Sequence, residues 1–147
     1  MTRLARLREE DAGSTLVLTV CYGMLGIVLI LVVAAATSLY LERKRLFTVA
    51  DGAALAAAES WGMESVHVDD GRLGFALTAD GVRAAASDYL ADTESGLQSM
   101  ELARADVLDG RTASVTLHAR WVAPISTEFL PIEVPIEVTA TARSVFH

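Results

Sequence analysis

The chain has 147 residues, 52 % of them hydrophobic and 21 % charged, a size that holds one ordinary domain or a small domain with a membrane anchor. Lys+Arg number 12 and Asp+Glu 19, for a formal net charge of −7, which argues against the basic face that nucleic-acid binding needs. The single cysteine, Cys21, excludes an intramolecular disulfide and any CxxC motif, and His67, His118 and His147 stand too far apart for zinc-type spacing.

The apolar residues are concentrated near the N-terminus. No charged side chain occurs from Ala12 to Leu41, and Leu16 to Val33 is almost entirely apolar. A bilayer core needs about 20 such residues as a helix. The run is too long for the roughly 7–15-residue core of a signal peptide. Ala34-Ala35-Ala36 imitates a small-residue cleavage site, so a secreted domain released there is an alternative. Arg3, Arg6 and Arg8 precede the run and Arg43, Lys44 and Arg45 follow it. The positive-inside rule therefore ties, and charge leaves the orientation open.

Arg43, Lys44 and Arg45 mark a membrane interface, but no helix-stopping residue follows them. Ala-rich sequence continues to Ser60, which predicts one helix over about 14–60: a span at 14–41 and a stalk at 42–60. Ala50, Ala54 and Ala58 stand four apart on one helix face, and Gly23, Gly26, Ala34 and Ser38 offer similar close-approach spots in the span. Small residues at this spacing predict packing against another helix.

Residues 61–147 predict a small α+β module, an antiparallel sheet with one packed helix. Val66–Val68 and Leu73–Leu77 flank Asp69-Asp70-Gly71-Arg72, a hairpin signal. Thr78 or Asp80 then caps a helix whose apolar side is Val82, Ala85, Ala86, Tyr89 and Leu90. A strand from Met100 to Leu108 turns at Asp109-Gly110 into Thr112–Trp121, which alternates strictly. A loop from Pro124 to Pro131 leads to a last alternating strand, Ile132–Arg143, in which Pro135 predicts an edge or unpaired position. From Leu46 onward there are 15 Asp+Glu against 6 Lys+Arg, a solvated surface that avoids anionic lipid.

The residues give no catalytic constellation. The glycines form neither GxGxxG nor a P-loop, and GxSxG is absent. Asp69 and Asp70 read as turn formers, His67 and His118 as strand surface, Trp61 and Trp121 as packing anchors, and Cys21 as an apolar filler. The expectation is a chain that is not an enzyme, with no cofactor, no metal and no small-molecule substrate.

The order of these features carries a resemblance. An Arg/acidic leader, Gly13-Ser14, a long apolar helix, Arg43-Lys44-Arg45-Leu46 and the stretch Ala50-Asp51-Gly52-Ala53-Ala54-Leu55-Ala56-Ala57-Ala58 precede a small sheet-rich module. This resembles the TadE/TadG-like proteins of Flp (tight-adherence) pilus assembly, especially the short actinobacterial type. The resemblance implies a pseudopilin-like, single-pass protein of the cytoplasmic membrane, N-terminus inside, with residues 61–147 extracytoplasmic. It implies residues 1–13 as a cytoplasmic leader, all of 42–147 outside the cytoplasmic membrane, processing between Gly13 and Ser14, and partners among other pilin-like subunits and Tad assembly proteins. A prepilin has Glu five residues after the cleavage point; counted from Ser14, that residue is Leu18. TadG-like members often lack the Glu, so the resemblance points to a minor pilin, a tip component or an unprocessed anchor. The alternative from a different class is a membrane-tethered binding module that enters no filament.

Overall fold

The computed structural model describes residues 3–60, 66–69, 72–126 and 131–144, with side chains for 15–60, 76–126 and 131–144. The architecture is α+β: a long N-terminal helix, a hairpin, a second helix and a three-stranded antiparallel sheet. Two compact units divide the chain, Met1–Ser38 and Leu39–His147. The first helix, α1, runs Arg3–Ala58 and contributes to both. It begins earlier than the predicted 14 because the leader holds no proline or turn signal, and its Arg, Leu and Glu residues are good helix formers.

In the first unit α1 is apolar on every side, and Leu16 through Val33 are all exposed. Two hydroxyls in the run cost little in lipid, because each donates to the carbonyl four residues back: Thr19 to Thr15 and Thr37 to Val33, both at 2.9 Å. Among the described residues this is one helix long and apolar enough to cross a membrane.

In the second unit the hairpin is β1 (Val66–Asp69) with β2 (Arg72–Phe75), paired antiparallel with Asp69 opposite Arg72. Its turn residues Asp70 and Gly71 lie outside the described residues, as do Trp61 and His147. The second helix, α2, runs Ala79–Asp92, and of the two predicted caps Thr78 is the one used, accepting from the Gly81 N–H at 3.2 Å. Val82 and Ala86 are buried, Ala85, Tyr89 and Leu90 half-buried, and Arg83, Asp88 and Asp92 exposed, as the periodicity predicts.

The main sheet is a meander of β3 (Glu101–Val107), β4 (Thr112–Val122) and β5 (Glu133–Arg143). Alternation decides its faces. Ala113, Val115, Leu117, Ala119 and Trp121 of β4 are buried with Ile136, Val138 and Ala140 of β5 and Ala105 of β3. The β4–β5 ladder also explains Pro135. The Ala123 N–H donates to the Ile132 carbonyl and the Ser144 N–H to the Arg111 carbonyl, both at 2.9 Å. Even-numbered residues of β5 therefore bond inward, so Pro135 faces the outer edge and forfeits no ladder bond. Of the predicted loop, Pro124–Ser126 and Pro131 are described and 127–130 lie outside.

The core is closed by the end of α1. Leu46, Ala50, Ala53, Ala54, Ala57 and Ala58 are buried, at spacings of three, four and one that make one broad stripe. The stretch read as a stalk thus supplies part of the module's own core. Among the described residues, eleven of the 19 buried hydrophobic residues are alanine. At Gly52 a Cβ would collide with the hydroxyl and ring of Tyr89 on α2. Helix propensity alone favours Ala over Gly by about 1 kcal/mol, while overpacking costs about 1–3 kcal/mol. Gly52→Ala is therefore expected to lower unfolding stability, and the same change in a Tyr89→Ala background to raise it. A denaturant-unfolding double-mutant cycle reads the difference.

Candidate functional site

The residues expected to matter fall in three places. Arg3–Ser14 is helical, so Gly13 and Ser14 lie within α1. Gly23 and Gly26 are open, with nothing within 4 Å of a Cβ built on either, and Ala34 is exposed and Ser38 half-buried. Arg43, Lys44 and Arg45 are exposed, and Arg45 lies 3.9 Å from Glu42. An exposed pair of this kind is worth little.

The third place is the alanine face. Ala50, Ala54 and Ala58 are 0, 0 and 1 % exposed. These three alanines of the four-residue spacing are covered within this chain's own second unit. The sequence signal for this was present: Leu46 precedes Ala50 by one turn, which extends the stripe toward a core. The large apolar side chains that α1 leaves open from the end of the span onward are Tyr40, Leu41, Phe47 and Leu55.

The open face of the sheet is polar and laddered. Thr116 and Thr139 meet at 2.9 Å, and His118 Nε2 lies 2.8 Å from Glu137 Oε2. Arg120 reaches diagonally past Pro135 to Glu133 at 3.5 Å, and Arg104 pairs with Asp106 at 3.2 Å on the same strand. Cross-strand pairs of this kind each contribute about 0.2–1 kcal/mol. Glu101 stands opposite His118 on its other side. A shallow cleft of about 610 Å³ lies over this row, walled by Ser99, Glu101, His118, Arg120, Pro135 and Glu137. Trp121 is on the other face, in the core. Cys21 is exposed on the apolar helix. Among the described residues no group of three or more His, Cys, Asp or Glu is placed to hold a metal ion.

At the β3–β4 turn, Asp109 organises the backbone. Its carboxylate accepts from the Arg111 N–H at 3.1 Å, and Gly110 takes φ 74°, a conformation glycine adopts without steric cost. The Gly110 carbonyl accepts from the Leu77 N–H at 2.7 Å, which ties the approach to α2 onto this turn. Hydrogen bonds from the Thr112 side chain and the Arg111 backbone hold the Asp109 carboxyl below the usual carboxylate range. A carboxyl lowered on folding stabilises the fold above its unfolded pKa, about 4, and loses that contribution as pH falls through the folded value. Asp109→Asn is expected to flatten stability between pH 5 and the acid limb at about pH 3, as read by denaturant unfolding across that window.

No curated protein and no solved structure is detectably similar to the chain. Residues 13–60, which hold the apolar helix and its buried alanine stripe, match the family model "Tad: Putative Flp pilus-assembly TadE/G-like", and this Tad-like segment supports involvement of the chain in Flp pilus assembly.

Proposed function

We propose that the chain is a minor pilin-like or pseudopilin-like component of a Flp pilus or a related secretion apparatus. It is anchored once in the cytoplasmic membrane by residues 14–41, with its N-terminus inside and the sheet module outside. The observation that carries this reading is the coincidence of the match with the physical anatomy of α1. The matched residues 13–60 contain both the lipid-length apolar run and the stretch that closes the module's core. One helix thus anchors the chain and folds its head, an economical design for a subunit that must move as one piece. Partners are other pilin-like subunits and Tad assembly proteins, met through α1. The charges Arg43, Lys44 and Arg45 sit at the outer interface, and Gly13-Ser14 is the processing point.

Deletion of the chain is expected to reduce or abolish surface pili, counted by electron microscopy, and re-expression to restore them. The cleft over Glu101, His118 and Glu137 favours a second reading, a tethered module that binds a partner without entering a filament. Under that reading the deletion strain builds normal pili.

A further inference from the structure

Beyond the lipid-length run, α1 keeps an uncovered stripe. Tyr40, Lys44, Phe47, Asp51 and Leu55 follow at spacings of four, three, four and four residues, which sets them along one side of the helix. All five are exposed: Tyr40 by 66 %, Phe47 by 50 % and Leu55 by 54 %, with both charges in solvent. Lipid headgroups explain Tyr40 but not Leu55, which lies about 21 Å beyond Leu41 along the helix. Phe47 and Leu55 therefore stand in water on one side of α1, as Leu108 does elsewhere in the second unit.

The charges on the stripe say what fits it. Lys44 and Asp51 have opposite signs, stand seven residues apart and take part in no ion pair among the described residues. Two parallel copies packed in register would set Lys44 against Lys44 and Asp51 against Asp51. Sliding one copy by seven residues, about 10.5 Å, brings Lys44 to Asp51 of the second copy. It also brings Tyr40 to Phe47 and Phe47 alongside Leu55. The apolar run permits this slip. Ala12–Leu41 is 30 uncharged residues, about 45 Å of helix against a hydrocarbon core of about 30 Å. The surplus exceeds the displacement, so one copy can ride above another without drawing a charge into lipid.

We propose that this stripe is a self-docking surface, on which a second copy of the chain packs parallel and staggered by seven residues, with Lys44 of one copy paired to Asp51 of the other. The proposal rests on the membrane-anchored reading above and adds the register. Membrane tethering raises the effective concentration of the two copies, so a contact that is weak in solution suffices.

Lys44 is the one lysine in the chain, which makes the test direct. Full-length protein in native membranes, as a mixture of ¹⁴N- and ¹⁵N-labelled copies, is treated with a water-soluble carbodiimide, and the dimer band is digested for mass spectrometry. Within one helix the two side chains are too far apart for a zero-length link. The expected result is a mixed-isotope Lys44–Asp51 isopeptide, lost in Lys44→Arg and in Asp51→Asn. In a Cys21→Ser background, co-expressed Lys44→Cys and Asp51→Cys chains should oxidise to a mixed disulfide several-fold more readily than either variant with itself. Both substitutions are at exposed positions, so the fold is kept, and protease resistance of the module checks this. A Lys44 link to other carboxylates in place of Asp51, self-linking of the single-cysteine variants at equal yield, or monomer in both experiments would overturn the proposal. Normal pili in the deletion strain would remove the proposed pilus role and leave this cross-linking result unchanged.

Discussion

Replacing Ala54 by Leu is expected to destabilise the second unit of the isolated, detergent-solubilised protein, with no other subunit present. Ala54 is fully buried within its own chain. A leucine there adds three carbons where the helix lies close to its neighbours, and overpacking of this kind costs about 1–3 kcal/mol and occasionally more. Against a net stability of about 5–15 kcal/mol for a domain, that loss is large. The control is Leu55→Ala one position along. Leu55 is exposed, so its truncation should fall within about 0.5 kcal/mol of no effect. Protease resistance and denaturant midpoints of the two variants give the comparison. If the alanine face served only a neighbouring subunit, Ala54→Leu would leave the lone protein unchanged and impair assembly alone.

The second large effect is in the membrane. Ile27→Asp is expected to abolish stable integration of the chain. A charged residue at the centre of a spanning helix costs about 2.5–3.5 kcal/mol on insertion scales, roughly a hundredfold or more in the inserted fraction. Position 27 also closes the escape route. It divides the uncharged run into two pieces, Ala12–Gly26 of 15 residues and Val28–Leu41 of 14, each short of the roughly 20 needed to cross. Ile27→Leu should integrate normally. Carbonate extraction followed by immunoblotting distinguishes integrated from peripheral or degraded protein.

Legibility in the sequence followed the strength of the periodic signal. The burial of β4 alternates over all 11 of its residues and that of β5 from Pro135 onward, and a buried face is the physical meaning of that alternation. Pro135 was readable for the same reason, since a residue without an N–H fits only where no ladder bond is required. The α2 cap was readable to within two candidates because both Thr78 and Asp80 accept hydrogen bonds well; geometry chose Thr78. The alanine stripe was readable as a packing face but not as to its occupant. Small residues at four-residue spacing invite any close backbone, and local sequence carries no record of whether that backbone belongs to the same chain. The collision that a Cβ at Gly52 would make with Tyr89 depends on residues 37 positions apart, and the row Glu101, His118 and Glu137 depends on strand register across two turns. Such contacts are products of the tertiary fold and have no local signature.

The central claim is that one helix anchors this chain and carries its head into a Flp pilus apparatus. The most direct test is the intact mass of the chain recovered from native membranes and from sheared surface filaments. The account predicts that the chain is present in the sheared filaments, with a mass that begins at Ser14. A chain that retains Met1, is confined to membranes and is dispensable for pili would contradict it.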